Sequence, residues 1–179
     1  MKDNELIAAI RAAIIAGEPI VGLKGIDVVQ AYQPTQQGVA RQPTIYLFKI
    51  GDHRYGSLGR TDIWDEPDSE EIHTETQYYL TTFQISALAT QDPSDLAKPT
   101  ASDIVNGVAA IMQNSTTIQN LQDQDIGLLR VADVRNPYFI DDRGRFEASP
   151  SFDIDVVHKQ IVTTEIPVLQ SEELQIIAV

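Results

Sequence analysis

The sequence predicts an α+β domain, a mostly antiparallel sheet with two helices packed on it in the order α-β-β-β-α-β-β and a long β-hairpin arm. Three patterns predict it. Leu6, Ile7, Ile10 and Ile14 recur at the spacing of one helical face. Tyr79, Thr81, Phe83, Ile85, Ala87 and Ala89 alternate along one side of an extended strand. Phe152, Ile154, Val156, His158 and Val162 alternate again near the end of the chain, with Asp153, Asp155 and Lys159 on the opposite side. A chain of 179 residues is most economically one domain, spanning 1–179, and it can bury about 70% of its unfolded surface.

The opening helix covers Asp3–Ala16, with Asp3 or Asn4 as its cap and Gly17 as its stop. Gly22-Leu23-Lys24-Gly25 breaks the pattern, and Ile26–Tyr32 reads as a first strand ahead of a polar loop, Gln33–Gln42, carrying Pro34 and Gly38. Thr44–Ile50 and Ile72–Ala89 are rich in β-branched and aromatic residues and read as a long antiparallel pair. The second run exceeds the ordinary strand of about 3–10 residues, so it bends or projects beyond the core as an arm. Gly51–Glu71 between them reads as a long exposed loop, of a length that is usually functional or disordered.

Thr100 or Ser102 caps a second helix, Ser102–Gln113, with Ile104, Val108, Ile111 and Met112 on one side to cross the sheet. Asn114–Asp125 reads as a polar connector and Ile126–Val134 as a strand. Asp141-Asp142-Arg143-Gly144 is turn chemistry, because Asp bonds its own backbone and Gly supplies a positive φ. Phe152–Ile166 is the last strand, one side buried and one wet. The C-terminal tail 167–179 ends in the apolar Leu174–Val179, which caps this core or pairs with a neighbour.

Thirteen basic residues against 26 acidic ones give a net charge of −13, which repels a phosphate backbone and argues against a conventional nucleic-acid-binding domain. It leaves open a passage through which DNA moves without sticking. With no cysteine, neither disulfides nor thiolate metal sites are available. The apolar run Leu6–Ile15, interrupted by Arg11, falls short of the roughly 20 residues a membrane span needs, and no signal-peptide pattern opens the chain. A soluble protein with no membrane partner is expected.

The three histidines, His53, His73 and His158, are isolated from one another, without HxH or HExxH spacing. Acid pairs occur at Asp65-Glu66, Glu70-Glu71, Asp141-Asp142, Asp153/Asp155 and Glu172-Glu173, as a chain this acidic should show. They keep a two-carboxylate hydrolase, with or without a divalent metal, as a rival reading. No catalytic, cofactor-binding or metal-binding residue is assigned and no cofactor is expected. Gly51–Gly59 has three glycines but neither GxGxxG nor a P-loop lysine. The same segment carries His53, Arg54, Tyr55 and Arg60, with Trp64 among acids just beyond. Arg, Tyr and Trp are common interface anchors, so these five residues are the candidate subunit contact. The competing reading is a solvated loop with Trp64 folded back onto the core.

The order of elements resembles the neck and tail-terminator proteins of tailed bacteriophages. So do Ala40-Arg41-Gln42-Pro43-Thr44-Ile45-Tyr46-Leu47 entering the first long strand and Gly144-Arg145-Phe146 leading to Phe152-Asp153-Ile154-Asp155 in the last. The resemblance spans roughly Leu6–Ile166. It implies a small noncatalytic α+β virion protein, assembled in the bacterial host cytoplasm, that forms a ring, usually of six copies, at the head-proximal end of the tail. Such a ring stops tail-tube growth and docks to the head-tail connector proteins, and genomic DNA passes through it without specific binding. Another phage assembly part, such as a head-completion or tail-tube protein, is the nearest alternative.

Overall fold

The computed structural model describes residues 1–31, 42–65, 70–90, 94, 95, 97–140 and 146–167. The Gln33–Gln42 loop, except Gln42, and the Asp141–Gly144 turn lie outside the described residues, as does the tail beyond Pro167. The fold is α+β, with three α-helices and a five-stranded, mostly antiparallel sheet.

Helix α1 (Asp3–Gly17) buries Leu6, Ala9, Ile10 and Ile14 and leaves Ile7 half-buried. Its N-cap is Lys2, whose N–H donates to the Glu5 carboxylate at 2.8 Å, so Asp3 and Asn4 fall inside the first turn instead of capping it. Gly17 does not stop the chain in a left-handed conformation. A Cβ there would lie 2.3 Å from Ile111 Cγ2, so the glycine lets α1 approach the second helix. A 3₁₀ turn over Glu18–Val21 follows and ends at Gly22, with φ of 76°.

Strand β1 (Asp27–Gln30) pairs in parallel with β2 (Thr44–Asp65), which turns back into β3 (Glu70–Leu88). Helix α2 (Ala101–Gln113) is capped by Thr100, whose Oγ1 accepts the Asp103 N–H at 3.2 Å while Asp103 accepts the Thr100 N–H at 2.9 Å. All of Ile104, Val108, Ile111 and Met112 are buried. A third helix, α3 (Ser115–Gln122), occupies the segment expected as a connector. Asn114 caps it by accepting the Thr116 N–H at 2.9 Å, and Leu121 and Thr117 anchor it in the core. One large buried side chain in so polar a stretch is too weak a periodic signal to read.

Strand β4 (Gly127–Val131) and strand β7 (Ser151–Pro167) complete the sheet, in the order β1-β2-β3-β7-β4. Between them β5 (Tyr138–Ile140) and β6 (Phe146–Ala148) form a separate two-stranded ribbon. The helices cover one face of the sheet, where Ile45, Leu47, Phe83, Ile85, Phe152, Ile154 and Val156 meet Leu6, Ile10, Ile14, Val108 and Met112. On the opposite face Asp153 and Asp155 are not freely wet. Arg135 reaches Asp153 at 2.7 Å and Arg130 reaches Asp155 at 3.0 Å, with Thr82 donating to Asp155 at 2.7 Å.

The α1–α2 contact sets a test. Gly17→Val is expected to destabilise the fold by about 1–3 kcal/mol, the usual cost of forcing extra volume into a packed contact. The double variant Gly17→Val/Ile111→Ala should recover part of that loss. Urea unfolding of the four proteins in the cycle measures both.

Candidate assembly surface

The expected loop Gly51–Glu71 is strand through most of its length. Gly51–Asp65 is the distal half of β2, paired with β3 from Gly51↔Thr82 to Tyr55↔Tyr78 and again from Gly59↔Thr76 to Asp65↔Glu70. Its glycines and charges suggested a loop because they accommodate irregularity within the ladder. The register shifts between Lys49 and Gly51 and again between Tyr55 and Gly59, where Gly56 adopts φ of 71°. The arm anticipated for β2 and β3 is real and gains a third strand, since β3 pairs with β7 without a shift from Ser86↔Ser151 to Glu70↔Pro167. Beyond Thr81 and His158 the ladder runs on for about nine residues, or roughly 30 Å at the usual strand rise.

The expected alternation of β7 breaks where the arm begins. Phe152, Ile154, Val156 and His158 are buried, but Val162 is 51% exposed because the helical layer no longer covers that side. Cross-strand partners share a face, so the register assigns each arm residue to one side. Arg54, Arg60 and Trp64 lie on the helix-side face, opposite Tyr79, Glu75 and Glu71. His53 and Tyr55 lie on the other face, opposite Leu80 and Tyr78.

The five sequence-selected residues therefore share one strand but not one patch. Trp64 is 51% exposed and is not folded onto the core. Sequence reasoning missed the apolar partners on the neighbouring strands, namely Ile161, Val162 and Ile166 on β7 and Tyr78 on β3, all exposed. A strand alternation that continued past the last helix-covered pair would have revealed them. Arg60 contacts Glu75 at 3.3 Å, and His73 bonds Asp62 with Glu75 at 3.6 Å. Asp62 and then Glu75 hold the His73 imidazolium above its usual range.

At the arm's root a polar chain replaces the apolar core. Asp3 on α1 contacts Lys49 at 2.7 Å, and Lys49 contacts Asp52 at 2.5 Å. Thr81 Oγ1 donates to Asp52 at 2.6 Å and lies 3.0 Å from His158 Nε2. Because the Thr81 hydroxyl proton is committed to Asp52, it accepts from His158, which fixes the Nε2–H tautomer. Tyr79 stacks on the imidazole with centroids 5.8 Å apart. Burial opposes the charge of both Lys49 and Asp52. The bonds each makes outweigh that, raising Lys49 and lowering Asp52 from their usual ranges. His158 is depressed, first by burial and then by the positive Met1 amino group, and its buried Nδ1 has no partner among the described residues.

Among the described residues no three His, Asp or Glu side chains converge as metal ligands, and Asp153 and Asp155 are each tied to an arginine. The arrangement offers strand edges and exposed apolar surface.

A family model described as E217 gateway protein gp29 matches residues 5–168, taking in the helices and the whole arm. No curated protein matches the chain. Among solved structures, the chain is similar to the sheath/tube terminator of an extracellular contractile injection system, PVC, seen by cryo-electron microscopy in the extended state. The TM-score is 0.46 at 10% identity, covering 100% of this chain and 64% of that one. This chain thus spans under two thirds of that terminator's length.

The two arm-region histidines should act in opposite senses on stability. His158 is depressed in the fold, so its contribution is complete above its unfolded pKa near 6.5 and falls as pH drops below it. His73 is raised, so its contribution is complete below about 6.5 and is lost as pH rises through its folded value. Urea midpoints between about pH 5.5 and 7.5 should show His158→Phe losing less stability on acidification than the parent, and His73→Gln losing more.

Proposed function

The chain belongs to the family of the phage E217 gateway protein gp29, and we propose that it is a noncatalytic neck component of a tailed-phage virion. In this reading it is a tail terminator whose copies, six in number, close a ring. The ring ends tail-tube growth and docks the tail to the head-tail connector proteins. The observation that carries the reading is the extent of the family match, residues 5–168, which covers the helical layer, the sheet and the arm together. The geometry supports it, because an arm with exposed tyrosine, tryptophan and isoleucine on both faces fits a protein that works by contact.

Charge supports it as well. With 26 acidic residues against 13 basic, a ring of this chain presents a repulsive wall to the genome, so DNA slides through without electrostatic trapping. The protein acts in the neck of the virion after assembly in the bacterial host cytoplasm.

Negative-stain electron microscopy of the purified protein across a range of concentrations tests this directly. Closed rings with a hole wide enough for duplex DNA are the expected result. Open tubes would move the assignment to a tail-tube protein, since a heterologous contact that does not close propagates. Within the ring reading, His53, Arg54, Tyr55, Arg60 and Trp64 are contact residues. Arg54→Glu and Arg60→Glu should each lower the ring fraction while leaving the monomer's thermal midpoint within a few degrees. Unchanged assembly in both would remove the arginines from the interface.

A further inference from the structure

We infer that neighbouring copies join through the arms by strand pairing, the free edge of β7 in one copy lying against the distal β2 edge of the next. The inference rests on the ring reading and names the contact that closes it.

Among the described residues, the topology leaves both edges of the arm open. On its outer side β2 has β1 as partner only as far as Leu47, and β7 has β4 only as far as Val157. The Met1 amino group donates to the Lys159 carbonyl at 2.7 Å and occupies the next position on that edge. From Gln160 to Pro167 β7 has no strand on its outer side among the described residues, and neither has β2 from Gly59 to Asp65. Gln160-Ile161-Val162-Thr163-Thr164 is exposed, uncharged and β-branched, without the lysine, proline or bulge that usually guards an edge.

The occupant is a second copy because one molecule presents both edges of one three-stranded sheet. Copies set side by side around an axis satisfy both at once, whereas any single foreign strand would leave one unpaired. Strands β2 and β7 both run opposite to β3, so arms pointing the same way bring β7 and the next β2 together in parallel, as β1 and β2 already pair within the fold.

Over the described arm, 54–65, 70–78 and 159–167, the sequence has three basic residues (Arg54, Arg60, Lys159) and six acidic ones (Asp62, Asp65, Glu70, Glu71, Glu75, Glu165), so the arm is as acidic as the chain at large and the pairing rests on its edges and not on charge.

The absence of cysteine makes a disulfide test clean. Thr163 on β7 and Thr61 on β2 both pair with Thr74, so they stand two strands apart within one copy, about 10 Å, beyond the ~7 Å Cα separation a disulfide spans. Any bridge between them joins two copies. Thr163→Cys would be combined in turn with Gly59→Cys, Thr61→Cys or Ile63→Cys, which share one face of β2 and scan the register. Position 59 has room, its added Cβ meeting nothing closer than 3.6 Å. After mild oxidation of the full chain, at least one double variant should give a ladder of covalent multimers on a non-reducing gel, collapsing on reduction, while single variants give none. Rings by microscopy without a ladder in any double variant would overturn the edge pairing and leave the ring reading standing. Covalent dimers from Thr163→Cys alone would overturn it in favour of a two-fold β7–β7 contact. Monomers alone would overturn the ring reading and this inference with it.

Discussion

The unbroken ladder between β3 and β7 is the feature on which the rest of the structure depends. Seventeen residue pairs, Ser86↔Ser151 to Glu70↔Pro167, keep one register with no bulge, although the first half lies under helices and the second half under none. Where the helices cover it, the register aligns Phe83 with Ile154 and Ile85 with Phe152, and so builds the core. A slip of one residue would turn that whole set to the outside, so the core fixes the register strongly. The arm inherits this register without a core of its own. In the arm and at its root the irregularities sit on β2, whose register shifts at two places while the central pair stays regular.

The seam between core and arm shows how that extension is tolerated. Stopping an apolar core abruptly at a sheet would leave either greasy surface or unpaired polar groups. Here the polar chain from Asp3 through Lys49, Asp52 and Thr81 to His158 fills the step, linking α1 to all three strands of the arm's root. Each member has a defined partner, and such a satisfied network specifies one packing, because partial satisfaction in a buried setting is costly. Its exception is the imidazole Nδ1, buried without a partner among the described residues. The neutral ring tolerates that more readily than the imidazolium, whose second N–H would need an acceptor.

Most of the core was legible in the sequence because it obeys a period. Leu6, Ile10 and Ile14, the Thr81–Ala87 alternation and the Phe152–His158 alternation all lie where spacing placed them. Three features were not legible, each for a physical reason. Helix α3 is polar except for a few anchors and is held by a cap and by tertiary packing, so its periodicity is thin. Distal β2 is glycine-rich and charged, a composition that reads as loop, and it is a strand because β3 supplies its hydrogen bonds. Gly17 suggested a helix stop by composition, while its role is set by Ile111, far away in sequence. The candidate contact residues were found on the right segment, and plain alternation divides them between the two faces, since the Tyr55–Gly59 irregularity adds an even two residues; which face is the helix side is set by the bulge between Lys49 and Gly51, which no local pattern announces.

That bulge also bears on what the arm can be used for. An isolated three-stranded arm with exposed apolar side chains on both faces is poorly suited to remain alone in water, since open edges and flat apolar surface invite pairing. Natural edges are blunted by charge or by bulges, and β2 has both, whereas β7 between Gln160 and Thr164 has neither. An asymmetry of this kind favours a contact with a direction, one edge of each copy against the other edge of its neighbour, over a contact of like with like. Directional contacts make rings when the rotation between copies closes and filaments when it does not. Contact through projecting arms is the directional contact this topology offers, since among the described residues each copy carries one edge of each kind.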